Sequence, residues 1–99
     1  MLIVTGIIEI NPDRIAEAQA AAVEMMAETR KEAGCYVYEF SQLIEAPHRF
    51  RVYEEWEDDA ALTAHSNAPH MAVFRKALGE VGVVSREIEK FESGARATL

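Results

Sequence analysis

The sequence predicts an α+β fold: a four-stranded antiparallel sheet with elements in the order β-α-β-β-α-β and helices packed on one face. Three features carry that expectation. Segments rich in Ile, Val and aromatic residues stand at both ends and in the middle of the chain. Helix-period stretches separate the middle from each end, and the two middle segments are joined by a turn too short for a crossover. With 99 residues the chain has room for one such domain and a modest core.

Residues 2–10, LIVTGIIEI, contain no helix-period stripe and read as a strand, with Leu2, Val4, Ile8 and Ile10 on one side and Ile3 and Ile7 on the other. Asn11-Pro12-Asp13 supplies an N-cap, a first-turn proline and an acid near the positive end of the helix macrodipole, so a helix is expected over 12–33. Its apolar stripe is Ile15, Ala18, Ala22, Met25 and Met26, thin enough to lie close to a sheet, and Gly34 is placed to end it. CYVYEFSQL (35–43) reads as the second strand, with Tyr36, Tyr38 and Phe40 on one face and Cys35 and Val37 on the other. The stretch 45–48 makes the turn, with Pro47 as breaker.

The third strand is expected over 49–57, with Phe50, Val52, Glu54 and Trp56 on one face and Arg49, Arg51, Tyr53, Glu55 and Glu57 on the other. Asp58 or Asp59 caps a short helix through Ala64, and Pro69 opens another carrying Met71, Val73, Phe74 and Leu78. Gly79 and Gly82 bracket the last turn before the final strand, 83–91. Two right-handed crossovers around a central hairpin make this a ferredoxin-like architecture, with residues 1–92 as a single domain and 93–99 as a flexible tail. The apolar second face of the first strand and the aromatic row of the second predict a homodimer formed through the sheet faces.

Composition removes several function classes. A net charge of −7, from 10 basic and 17 acidic residues, disfavours nucleic acid and anionic membrane surfaces as partners. The apolar opening lacks a basic leader and a cleavage site, and no stretch reaches the ~20 apolar residues of a membrane span. The single cysteine, Cys35, cannot form an internal disulfide, which fits a reducing compartment, and a cytoplasmic location is expected. Neither a dinucleotide fingerprint nor a phosphate loop is present, and neither Ser41 nor Ser85 has a nucleophile-elbow context. A thiol entering a buried strand behaves as a small hydrophobe, so Cys35 is read as packing.

Histidine is the residue type left to carry chemistry. His65 and His70 lie five positions apart around Pro69, a spacing that puts them on different faces of a helix, so no metal site is expected from them. His48 lies at a turn. His65, with an ordinary pKa near 6.5, suits general-base work, or serves as a helix-end residue bonded to a carbonyl. His70, in a helix's first turn, is expected to be exposed or capping. The aromatics on adjacent strands form either core or the walls of a pocket for a flat ligand.

Glu32-Ala33-Gly34-Cys35 followed by Tyr38, then Phe50, Tyr53-Glu54-Glu55-Trp56, Leu62, His65, Pro69-His70 and Phe74 resembles the antibiotic biosynthesis monooxygenase family, over roughly residues 3–91. The resemblance implies a dimeric α+β barrel with a pocket in each subunit between sheet and helices. It places His65 at the family's pocket histidine. The haem-degrading branch of the superfamily instead has tryptophan there and a ligating histidine ten residues later, where this chain has Arg75, and it has an asparagine on the first strand that IVTGII (3–8) lacks.

The expected function is then a cofactor-independent monooxygenase that oxidises a quinol or polyphenol with molecular oxygen. His65 is its catalytic base, and Trp56, Tyr38, Tyr53, Glu54, Phe74 and Arg86 bind a small aromatic substrate. No cofactor and no metal are expected. Two alternatives remain at this stage. One is an isomerase of a small hydroxy-ketone, which if phosphorylated would need Arg51, Arg75 or Arg86; the other is a non-catalytic small-molecule-binding dimer.

Overall fold

A computed structural model describes residues 1–99. The elements run β1 (Leu2–Ile10), a 3-10 turn (Pro12–Arg14), α1 (Ile15–Thr29), β2 (Cys35–Leu43), β3 (Ala46–Trp56), α2 (Asp59–Ser66), α3 (Pro69–Val81) and β4 (Val83–Glu92). The four strands form one antiparallel sheet in the order β2-β3-β1-β4. This is the expected ferredoxin-like α+β topology. The β2–β3 hairpin fills one half of the sheet, and β1 receives β3 on one side and β4 on the other.

The caps anticipated from sequence are in place. The Asn11 side chain accepts from the Asp13 amide at 3.0 Å, and Asp58 Oδ1 accepts from the Ala61 amide at 2.9 Å, fixing the start of α2. The first helix, however, stops at Thr29 and not at 33. The amides of Lys31, Glu32 and Cys35 bond back to Glu28, Thr29 and Glu32 in a run of turns, and Gly34 takes φ +79°. A Cβ on Gly34 would stand 2.7 Å from that of Ala61, and its carbonyl accepts from the Glu57 amide at 2.8 Å, so glycine lets this turn lie against the start of α2.

Two other expectations change. The hairpin turns at Ile44 and Glu45, with Leu43 opposite Ala46, so Pro47 lies inside β3 and not in the turn. It is tolerated there because Gln42 already faces Phe50, leaving an irregular ladder beside the proline. At the other end of β2, Cys35 pairs with Trp56 and Val37 with Glu55, so Tyr36 is the extra residue of a bulge and is exposed. The bulge places Cys35 on the same side as Tyr38 and Phe40, packed against the core, instead of opposite them.

The core lies between sheet and helices. One cluster joins Leu2, Val4, Met25, Tyr38, Val52, Trp56 and Phe74; the other joins Ile8, Ile10, Ala18, Phe50 and Val81. Buried Ala18 and Ala22 keep α1 close to the strands, as the thin stripe implied. The open face of the sheet is more polar than expected. Registers place Thr5, Arg49, Arg51, Tyr53, Glu55, Glu87 and Glu89 there beside Ile3, Ile7, Val37 and Phe91, while the β2 aromatics Tyr38 and Phe40 turn to the helices. From the C-terminal segment, Arg96 reaches this face and forms two hydrogen bonds of 3.1 Å to Glu55.

Candidate functional site

Strand alternation, the Asp58 cap and the turn at Gly34 together deliver one histidine to the middle of the domain. His65 sits on the last turn of α2 and is 3 % exposed. Its ring lies 4.8 Å from the Trp56 indole and 5.4 Å from the Tyr38 ring, measured between centroids. Its Nδ1 stands 2.6 Å from Glu32 Oε2, on the turn that follows α1. The Nε2 of His70, at the start of α3, stands 2.9 Å from the same oxygen. A carboxylate only accepts, so both imidazoles donate to it, and His65 carries its proton on Nδ1.

The other ring nitrogen is therefore the free one. His65 Nε2 makes no hydrogen bond, and the sole sealed side-chain polar atom without a partner in the molecule is Thr29 Oγ1. Nε2 is thus not sealed, and His65 borders a cavity of about 300 Å³. Burial pushes the His65 pKa below its ordinary value while Glu32 pulls the other way, so the ring is neutral at pH 7 with its lone pair available.

The cavity is walled mainly by apolar side chains, among them Val4, Val52, Leu62, Met71, Phe74 and Ile88, with Tyr38, Glu54, Arg75 and Arg86 as polar points. This is the size and character of a small-molecule site. Glu54 is raised to about 7, chiefly by burial, although the Trp56 indole N–H donates to its Oε1 at 2.9 Å. It can therefore exchange a proton near neutrality. Burial also drives the Tyr38 pKa strongly upward, so its hydroxyl stays protonated and can donate to a bound oxygen.

Of the residues anticipated from sequence, His65, Tyr38, Glu54, Phe74 and Arg86 border this one cavity. Trp56 is fully buried behind His65 and supports the ring without lining the space. Tyr53 does not join them. It projects from the opposite face of β3, where its hydroxyl donates to Glu55 at 2.6 Å, because neighbours along a strand point to opposite faces. Cys35 is half-buried, and burial raises its pKa, which keeps it a thiol. His70 is neither free nor capping, since it holds Glu32. Pro69 opens α3 so that its first turn lies over Glu32, and the two rings that helix spacing would separate meet on one carboxylate.

Glu32 is the residue sequence reasoning missed. It stood within the Glu-Ala-Gly-Cys stretch, but its partners lie 33 and 38 positions away, beyond any local pattern. Glu32 orients His65, whereas Glu54 accepts from the Trp56 indole N–H.

The chain is similar to curated relatives in sequence and to solved structures in fold. An uncharacterised protein of Synechocystis is 26% identical over 98 residues, covering 99% of this chain and 67% of its own. A Deinococcus radiodurans crystal structure, whose name carries that of the family matched below, superposes with a TM-score of 0.93 at 25% identity, over 100% of this chain and 98% of that one. The crystal structure of PA3566 from Pseudomonas aeruginosa superposes with a TM-score of 0.87 at 29% identity, over 95% and 94% of the two chains. Residues 1–77, which hold β1 to β3, Glu32, His65 and His70, match the antibiotic biosynthesis monooxygenase family, and the chain belongs to that family.

Proposed function

We propose that the protein is a cofactor-independent monooxygenase that oxidises a quinol or polyphenol with molecular oxygen. The observation that carries the reading is the unpartnered His65 Nε2 on an apolar cavity, with Nδ1 fixed by Glu32. Ground-state oxygen is a triplet and reacts slowly with closed-shell molecules, whereas a phenolate can give it one electron. His65 Nε2 takes the phenolic proton. The phenolate passes an electron to oxygen, and the resulting radical pair joins as a C–O bond to a ring carbon bearing hydrogen. The proton on His65 returns to give the hydroperoxide, which loses that carbon's proton and hydroxide as water and leaves the quinone. One oxygen atom enters the product and the other leaves in water. Glu54, with its pKa of about 7, is suited to take the second proton, and the apolar walls keep the radical pair from water.

The test is oxygen uptake with a panel of quinols. His65→Ala is expected to lower turnover by about 10²–10⁴-fold, the usual contribution of a positioned base. Turnover unchanged under strict anaerobiosis overturns the reading. It would support instead an isomerase of a phosphorylated hydroxy-ketone, for which the cavity has two cationic points, Arg75 and Arg86. Saturable binding with no turnover would leave a small-molecule-binding protein.

The active unit in this reading is a homodimer joined through the open sheet face. Arg49 and Arg51 on β3 share that face with Glu87 and Glu89 on β4, so a two-fold axis can set each positive stripe over the partner's negative one. The lone half-buried thiol fits a cytoplasmic setting. No helix is long and apolar enough to cross a membrane.

A further inference from the structure

The cavity and its base leave one arrangement unused. Three side chains of metal-ligating type, Glu32, His65 and His70, arrive from three separate parts of the chain, the turn after α1, the end of α2 and the start of α3. Each offers a ligand atom, and these atoms all lie within 4.8 Å of one another. An ion bound at ordinary zinc distances to nitrogen and carboxylate oxygen sets its ligands about 3.4 Å apart in tetrahedral geometry. To reach that spacing the contacts of 2.6 and 2.9 Å open by less than about 1 Å, and the histidine pair, within 4.8 Å, closes by at most about 1.4 Å, both within reach of side-chain rotation. His70 and Glu32 keep a fifth or so of their side-chain surface exposed, and His70 borders a second cavity of about 260 Å³ between α1 and α3, with Glu17 and Glu24 on its wall. That cavity supplies an entry path, where Glu24 is free of ion pairs and Glu17 is held by Arg14, and room for a water as fourth ligand.

We propose that Glu32, His65 and His70 bind a divalent transition-metal ion of the zinc class, and that the bound ion turns His65 from a proton acceptor into a donor. Two imidazoles and one carboxylate suit zinc, cobalt or nickel and not calcium or magnesium, which take oxygen ligands. The second half rests on the reading of His65 as the base. To ligate through Nδ1 the ring must give up the proton it now donates to Glu32, and a neutral imidazole then carries its one proton on Nε2. Nε2 faces the substrate cavity. The same exchange on His70 moves its proton from Nε2 to Nδ1, so the two neutral rings bind the ion without net proton release. The ion does not enter the reaction; it withdraws the lone pair that starts it.

Calorimetric titration of the full chain with Zn²⁺ tests the site without any substrate. One equivalent per chain is expected, with affinity lowered more than about tenfold by Glu32→Gln and by His70→Gln. His48→Gln, which removes the other histidine–carboxylate pair, with Glu9 at 3.0 Å, is expected to leave it unchanged. Absence of saturable 1:1 binding, or binding that survives both ligand substitutions, overturns the site. Nitrogen NMR of the folded protein reads the tautomer directly: Zn²⁺ should move the His65 proton from Nδ1 to Nε2. Binding without that change overturns the switch and leaves the site standing. Inhibition of oxygen uptake by Zn²⁺, reversed by chelator, is the expected functional consequence. If no quinol is oxidised at all, the proposed function fails while calorimetry and NMR still decide this one.

Discussion

At the scale of single residues, Glu54 governs how the fold responds to pH. Its carboxyl titrates near 7 in the folded chain and near 4.5 when unfolded, because burial disfavours the charge. Between those values the folded protein holds a proton that the unfolded chain has released. Stability contributed by this group is therefore full below about pH 4.5 and lost as pH rises through 7, by roughly 3 kcal/mol. Glu54→Gln keeps an acceptor for the Trp56 N–H and should flatten that fall, so urea melts at pH 8 should show the variant more stable than wild type. His65 acts in the opposite sense: its lowered pKa makes folding less favourable as pH drops below 6.5. Thr29 offers a third test. Its hydroxyl is sealed and without a partner, so Thr29→Val should stabilise by about 1 kcal/mol in the same melts.

At the scale of elements, short local contacts hold the site's scaffold. The Asp58 cap starts the helix that carries His65, and Asp58→Ala should cost about 1 kcal/mol, measured as a lowered denaturation midpoint. In β1, a Cβ on Gly6 would lie 2.0 Å from the Glu87 carbonyl oxygen and 2.5 Å from Ile88 Cα, both backbone atoms. Gly6→Ala must push β4 away, and a loss of at least ~1–3 kcal/mol is expected, with hydrogen exchange faster in β4 than in β2. The alternating Ile and Val of β1, the Asx-Pro start of the first helical segment and the Pro start of α3 made these elements legible in the sequence. The bulge at Tyr36 was not, because no glycine or proline marks it and only the pairing of Cys35 with Trp56 reveals it. The shift of that one residue changed the side on which Cys35 lies.

At the scale of the whole molecule, the pocket histidine could be read from the chain, but not what holds it. His65 and Tyr38 stood out by residue type and order, whereas Glu32 acquires its role only when both crossovers have closed around it. Tyr53 shows the converse: its chemistry suited a pocket, and strand alternation put it on the other face. The same long-range pairing made the open face more charged than its apolar residues suggested, which sharpens the test of the dimer. In the proposed dimer, reversing Arg49 and Arg51 to glutamate would set like charges against the acidic stripe of Glu87 and Glu89 on the second copy. Sedimentation velocity should then show the monomer while circular dichroism stays unchanged.

Trp56 is the chain's only tryptophan, and it lies fully buried with its ring centroid 4.8 Å from that of His65. An imidazolium this close quenches indole emission, whereas the neutral ring does so weakly. The fold therefore contains its own optical indicator. The emission intensity of the unlabelled protein should brighten as pH rises through a midpoint below 6.5 that reports the charge on His65, and Glu54→Gln, which removes the carboxyl that titrates near 7 at the indole N–H, should leave that midpoint in place.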